Sequence, residues 1–153
     1  MGQRKPFSRR LYNKYDELAK SFGAREFEKI GLIATPNKKK TAVDLVVTNS
    51  NGVVVCYAEV EIKKALDKPF DYDTIQLPER KWKYAKLEHP TLFMLFSSDG
   101  SKYFCFWDKF VLKAECTEVF NKYVACNEMF FQIPLKNADS DIQKAFRRHW
   151  KRN

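Results

Sequence analysis

The chain has 153 residues, of which 44% are hydrophobic and 15% aromatic, and it carries a formal net charge of +9. This length and apolar content are enough for one packed domain, so the composition excludes an intrinsically disordered protein. No apolar stretch is long enough to span a membrane and the N-terminus lacks the apolar segment of a secretory signal, so we expect no membrane partner. A basic surface favours a polyanion, and we expect nucleic acid as the partner.

The four cysteines argue against a structural zinc site, because no two of them form a Cys-x-x-Cys pair. Cys56 and Cys105 lie inside apolar segments and are expected to be reduced residues of the core. Reduced core cysteines indicate an intracellular protein, cytoplasmic or nuclear, that is not secreted.

The first predicted element is a helix that begins at Ser8, since serine caps helices, and that either ends at Gly23, since glycine commonly terminates helices, or is extended by residues 25–29. Its apolar residues recur at helical spacing, at Leu11, Tyr15, Leu18 and Phe22. Residues 30–34 are then expected to form a short strand that is stopped by Thr35-Pro36-Asn37.

Two valine-rich segments, residues 41–47 and 53–63, predict the second and third strands. Asn51-Gly52 lies between them and favours a hairpin that pairs the two strands side by side. Asp44 interrupts the first segment, although aspartate has a low propensity for strands. Asp44 is therefore a candidate functional residue.

The third strand places its charged residues on one face, because side chains alternate along a strand. Glu59, Glu61 and Lys63 share that face at one end of the strand. A hairpin can hold Asp44 against Glu61 and Lys63, and two carboxylates with an ammonium suit Mg²⁺-assisted attack on a phosphodiester. The alternative is a charged, exposed edge strand that discourages aggregation, which explains the three charges but not Asp44.

After the third strand, the sequence predicts a helix from Pro78 to residue 87 and then two strands, over residues 91–97 and 102–107. The segment over residues 110–120 fits either helix or strand. A strand over residues 129–133 and a C-terminal helix complete the chain. A helix between the third and fourth strands is a crossover, which implies some parallel pairing. The predicted fold class is α/β with a central mixed sheet flanked by helices. Nothing marks a domain boundary, so we expect a single domain over residues 1–153, with a core over about 8–107 and a C-terminal extension over 108–153.

This order of elements, with Asp44 followed by Glu61-Ile62-Lys63 on consecutive strands, resembles the PD-(D/E)XK nuclease superfamily. The proline of the motif is absent, since Val43 precedes Asp44. The resemblance implies a restriction-endonuclease-like core and a metal-dependent phosphodiesterase. It implies that Asp44, Glu61 and the carbonyl of Ile62 bind Mg²⁺, for which Mn²⁺ is expected to substitute, and that Lys63 orients or deprotonates the attacking water.

Three further residues are candidates through the same resemblance. Glu59 is a possible additional metal ligand, or Glu59-Val60-Glu61 is the working pair with Glu61 in place of the usual lysine. Gln76, before the predicted helix, is a candidate to position the phosphate or the water. Glu17 is the candidate for the acid that some members carry on the first helix, with solvent exposure as the simpler alternative.

Clustered cations complete the predicted site. The expected nucleic-acid-binding residues are Lys38, Lys39, Lys40, Arg80, Lys81 and Lys83. The predicted function is a Mg²⁺-dependent endonuclease that cuts double-stranded or branched DNA as a homodimer. The alternatives are a non-catalytic nucleic-acid-binding module on the same fold and an RNA endonuclease, which would use the same residues.

Overall fold

A computed structural model of the chain describes residues 9–39, 42–121 and 126–151. The helices are α1 (Arg9–Glu28), α2 (Asp108–Lys113) and α3 (Ile142–Lys151), with 3₁₀ helices at Lys64–Asp67, Glu79–Lys86 and Leu135–Asn137. The strands are β1 (Ile33–Pro36), β2 (Leu45–Thr48), β3 (Val54–Ile62), β4 (Thr74–Pro78), β5 (Thr91–Phe96), β6 (Tyr103–Trp107), β7 (Glu115–Asn121) and β8 (Cys126–Pro134). We call Glu79–Lys86 the basic 3₁₀ helix, because four of its eight residues are lysine or arginine.

The central sheet has five strands in the order β1-β2-β3-β5-β6. Strands β3 and β5 are parallel, and the other neighbours are antiparallel. Strands β4, β8 and β7 form a second, antiparallel sheet. The predicted class, α/β with a central mixed sheet flanked by helices, is confirmed, and so is the parallel pairing expected from a crossover after β3.

The crossover itself differs from the prediction. Strand β4 ends at Pro78, and residues 79–86, for which the sequence favoured an α-helix, form the basic 3₁₀ helix. The ambiguous segment after Trp107 divides into α2 and β7. Because β4 pairs with β8, the second sheet joins the crossover to the C-terminal part of the chain.

The two faces of β3 are covered by different elements. Cys56, Ala58 and Val60 are buried, as the alternation predicted, on the face packed against α1. Glu59 projects from the opposite face, where a side chain of the basic 3₁₀ helix contacts it. None of the helices in the described part of the chain is long and apolar enough to cross a lipid bilayer.

Of the two predicted ends of the first helix, Gly23 is wrong and the extension beyond Arg25 is confirmed, because α1 continues to Glu28. Gly31, with a φ of 79°, lies in the turn that follows the helix instead. Gly23 instead allows α1 to pack closely against β2 and β3. A Cβ at this position would lie 2.9 Å from Val60 Cγ1 and 3.1 Å from Leu45 Cδ1.

Replacing Gly23 with alanine is expected to destabilise the domain despite the better helix propensity of alanine. Overpacking costs roughly 1–3 kcal/mol, whereas alanine gains about 1 kcal/mol over glycine inside a helix. The net loss in the free energy of unfolding should be on the order of 1 kcal/mol, measured by urea denaturation. The same substitution should cost less in a Val60→Ala background, which removes the obstructing methyl group. A stabilised Gly23→Ala variant would contradict this packing.

Candidate functional site

A cavity of about 500 Å³ opens where α1, the end of β3 and the basic 3₁₀ helix meet. Asp44, which directly precedes β2, and Glu61, near the end of β3, both line it. The predicted hairpin therefore brings these two carboxylates to one cavity, as the sequence suggested. We call it the carboxylate cavity. Its cationic lining includes Arg80, Lys81 and Lys83.

Side-chain hydrogen bonds fix Asp44 against β3. The backbone N–H of Asp44 donates to Glu59 Oε1 at 2.9 Å, and the backbone N–H of Val60 donates to Asp44 Oδ2 at 3.0 Å. The last regular pair between the strands is Leu45 with Ala58, so Asp44 and Glu59 lie at the next position of the ladder. The two carboxylates thus extend the strand pairing by one step and hold Asp44 at the cavity.

Glu59 forms a buried ion pair with the basic 3₁₀ helix. Its side chain is 4% exposed, and Lys81 Nζ lies 2.8 Å from Glu59 Oε2. Burial, opposed by Lys81 and reinforced by Asp44, raises the pKa of Glu59 to about 7. Burial lowers the pKa of Lys81, but attraction to Glu59, Glu61 and Asp44 together outweighs burial, so the pKa of Lys81 is raised overall. Lys81 therefore stays positively charged at the edge of the cavity.

The raised pKa of Glu59 makes stability depend on pH. The native state holds a proton on Glu59 between the unfolded pKa near 4.5 and the folded pKa of about 7, so the unfolded state loses protons first as pH rises. We expect the free energy of unfolding to fall across this window by on the order of 2 kcal/mol more in the unmodified chain than in Glu59→Gln. Urea denaturation at several pH values measures the difference. Equal slopes for the two proteins would contradict it, and exposed Glu118→Gln is the matched control.

Glu61 has a carboxylate that remains available to a metal ion in the carboxylate cavity. It is half-buried and lines the carboxylate cavity, and it makes no hydrogen bond or ion pair with any residue that the structure describes. Asp16 of α1 also lines the cavity, but its carboxylate is 2.9 Å from Lys20 Nζ. A cation in the cavity would therefore meet Glu61 without first breaking a hydrogen bond or ion pair among the described residues.

The donor chemistry of the cavity fits Mg²⁺, which prefers carboxylate and carbonyl oxygens and retains several waters. Asp44 uses one oxygen to accept from Val60, and Ile62 also lines the cavity. Among the described residues, no three His, Cys, Asp or Glu side chains are gathered as metal ligands. The fit is thus to an ion held by two carboxylates and completed by water or substrate, because both oxygens of Glu59 are already hydrogen-bonded.

Several predicted residues lie elsewhere. Lys63 follows the end of β3 and is half-buried, but it does not line the carboxylate cavity, because the chain turns there into the 3₁₀ helix Lys64–Asp67. Gln76 belongs to β4 and pairs with Gln132 of β8, so the second sheet holds it away from this lining. Glu17 is exposed.

The cluster of three lysines before β2 is only partly described. Lys38 and Lys39 are exposed in the connection between β1 and β2, and the backbone N–H of Lys39 donates to Asn37 Oδ1. Lys40 lies outside the described residues. Neither Lys38 nor Lys39 lines the carboxylate cavity, so the predicted cations that do so come from the basic 3₁₀ helix.

Sequence reasoning named Lys81 as a surface cation and missed its ion pair. The available signal was Glu59 itself, in the middle of an apolar strand. A buried carboxylate is costly without a partner, so a cation had to be close to it in the fold. Asp16 was missed because it lies next to Glu17 on the predicted helix, and only the packing of α1 decides which acid faces the cavity.

Fold and site together define a mixed α/β domain in which carboxylates of the central sheet meet cations of a crossover helix. No family model, no curated protein and no solved structure matches the chain. The chemistry of the described residues is therefore the basis for assigning a function.

Proposed function

We propose that this protein is a Mg²⁺-dependent endonuclease with a restriction-endonuclease-like core of the PD-(D/E)XK type. The observation that supports this most strongly is that Asp44 and Glu61 line one cavity together with Arg80 and Lys83. Carboxylates that can hold a hard cation lie beside cations that can hold a phosphate. This combination suits phosphodiester hydrolysis.

The geometry supports Glu61, rather than Glu59, as the second metal ligand beside Asp44. Glu61 lines the same cavity as Asp44, whereas both oxygens of Glu59 are already hydrogen-bonded. Glu61 belongs to the register Glu61-Ile62-Lys63, but Lys63 of that register does not line the cavity. Lys81, 2.8 Å from Glu59, supplies the cation from another element.

Asp44 and Glu61 are the residues proposed to hold the metal. Mg²⁺, or Mn²⁺ in its place, neutralises a bound phosphate and lowers the pKa of its water. Glu59 orients Asp44 through the backbone N–H of that residue. Lys81 keeps Glu59 in place and adds positive charge where negative charge develops on the phosphate. Arg80 and Lys83 position the substrate backbone.

The proposed substrate is nucleic acid, with DNA, duplex or branched, first. A formal net charge of +9 supports a polyanionic substrate. One such cavity cuts one strand, so cutting both strands would need two copies, and we propose a homodimer. An intracellular location agrees with this substrate.

A non-catalytic nucleic-acid-binding module is the second candidate. The Glu59–Lys81 ion pair favours it, because a closed ion pair is also what a purely structural site would show. An RNA endonuclease would use the same residues as the DNA enzyme, so only the substrate distinguishes the two.

Incubation with supercoiled plasmid, a synthetic four-way junction and single-stranded RNA, each with Mg²⁺ or with EDTA, tests the proposal. We expect Mg²⁺-dependent cutting of at least one DNA substrate and none by an identically purified Asp44→Asn/Glu61→Gln double variant. Binding of all substrates without any cutting would support the non-catalytic module instead. Cutting of RNA alone would support the RNA endonuclease.

A further inference from the structure

A second cavity, of about 450 Å³, adjoins the carboxylate cavity. Tyr57, Lys83, Tyr84 and Lys86 contribute to its lining, and we call it the tyrosine cavity. Lys83 and Tyr84 line both cavities. A ligand lying along the basic 3₁₀ helix would therefore pass from one cavity to the other.

The two cavities also lie along the same strand. Tyr57, Glu59 and Glu61 project from one face of β3, because side chains alternate and the pairing with β5 is regular over these residues. Tyr57 and Glu61 are four residues apart, which is about 13 Å along an extended strand. That separation is short enough for neighbouring units of one polymer to occupy both cavities.

Three of the four cations of the basic 3₁₀ helix share one row along it. Side chains three residues apart eclipse one another in a 3₁₀ helix, at a spacing of about 6 Å. Arg80, Lys83 and Lys86 follow this spacing and are all exposed. A 3₁₀ helix of eight residues is longer than the usual run of three or four. An α-helix over the same residues would turn these cations progressively away from one another.

Tyr84 lies in the neighbouring row, and the ammonium groups of two lysines lie close to its ring. Lys83 Nζ is 5.0 Å and Lys81 Nζ is 5.9 Å from the ring centroid. The acid of the tyrosine cavity, Glu88, accepts a hydrogen bond from Tyr57 Oη at 2.8 Å. The cavity therefore combines aromatic rings with a surplus of cations.

We propose that the tyrosine cavity receives an unpaired base of the substrate, so that the strand entering the carboxylate cavity is single-stranded beside the bond that is cut. Aromatic rings that stack bases, next to cations that follow the backbone, are how proteins bind single strands. A base inside a duplex is already stacked on its neighbours and cannot offer its face to Tyr84. This inference rests on the proposed function for the position of the cut, but not for the binding of the strand.

Binding of fluorescein-labelled single-stranded DNA, single-stranded RNA and duplex DNA of equal length, measured by anisotropy in EDTA, tests the inference without any cleavage. We expect at least one single strand to bind roughly 10-fold more tightly than the duplex. Tyr84→Leu should weaken single-strand binding by roughly 5- to 150-fold, the loss expected for one stacked base, and should leave the salt dependence unchanged. Tyr84→Phe keeps the ring and should bind normally.

The cation row gives an independent measurement. Lys86→Gln should reduce the slope of log affinity against log salt by about 0.7 for a single strand.

Tyr72→Leu is the matched control for Tyr84→Leu, because Tyr72 is 68% exposed and lies in the connection before β4. Thermal melting shows whether each variant folds. The comparison of single-stranded with duplex nucleic acid uses the unmodified chain, so it does not depend on any variant.

Equal affinity for duplex and single strands, or normal binding by a folded Tyr84→Leu variant, would overturn the inference. Neither result would affect the proposed function if Mg²⁺-dependent cutting were observed. Conversely, Tyr84-dependent binding of single strands without any cutting would remove the proposed function and leave the tyrosine cavity as a site for an unpaired strand.

Discussion

Replacing Glu61 with glutamine should lower the rate of Mg²⁺-dependent cleavage by roughly 100-fold or more while the protein remains folded. The carboxylate of Glu61 lines the carboxylate cavity and makes no hydrogen bond or ion pair with any described residue, so its loss removes a negative charge without breaking either kind of bond. Loss of one preorganised charged group at a reacting centre commonly costs this much. Single-turnover cleavage with enzyme in excess measures the effect on chemistry directly.

Asp44→Asn should show a comparable loss of activity with a small additional loss of stability. An asparagine oxygen can still accept from the backbone N–H of Val60, but it no longer carries the charge that attracts a metal ion. Glu118→Gln removes an exposed carboxylate of β7 and is the matched control. Cleavage by Glu61→Gln at the rate of the unmodified chain would show that the cutting site lies elsewhere.

Replacing Lys81 with methionine should have the largest effect on stability. The substitution leaves Glu59, which is 4% exposed, without its cation. Breaking a buried pair by removing one partner costs roughly 3–5 kcal/mol. The cost should be smaller at pH 5 than at pH 8, because a protonated Glu59 needs no counter-charge, and without Lys81 its pKa rises further above 7. Urea denaturation at the two pH values measures both quantities.

The double variant Glu59→Gln/Lys81→Met separates the ion pair from simple packing. It removes both charges, so it should recover much of the stability that Lys81→Met loses and should no longer depend on pH in the same way. If Lys81→Met were as stable as the unmodified chain at pH 8, the buried ion pair would not be part of the native state. The double variant is also expected to be inactive, since it lacks the cation proposed to stabilise the phosphate.

Much of the fold follows from local patterns in the sequence. The valine-rich segments around Asn51-Gly52 specify the hairpin of β2 and β3, and the need to return after β3 specifies a parallel neighbour. The sequence left two possible ends for α1, because glycine can either terminate a helix or allow close packing inside it. The close approach of Gly23 to Val60 shows that this glycine serves close packing, and the contact forms only when α1 packs on the sheet.

The candidate site was only partly predictable for the same reason. Strand alternation places Glu59 and Glu61 on one face, and the hairpin brings Asp44 to them. Which cation joins them depends on where the crossover crosses the sheet. Pro78 and the helix-forming residues after it favoured an α-helix, whereas the chain forms a 3₁₀ helix that directs Lys81 to Glu59. Lys63 is the cation next to Glu61 in the motif, but the turn after β3 removes it from the cavity.

The central claim is that Asp44 and Glu61 hold a divalent cation in the carboxylate cavity, and titration calorimetry with Mg²⁺ and Mn²⁺ tests it most directly. The titration includes an unmodified DNA oligonucleotide, whose own ion binding is measured separately and subtracted, because Mg²⁺ is often held jointly by carboxylates and substrate phosphates. We expect saturable binding to the unmodified chain and a loss of that binding in Asp44→Asn/Glu61→Gln. Undiminished binding by the double variant, or no metal binding by the unmodified chain with this oligonucleotide present, would contradict the claim.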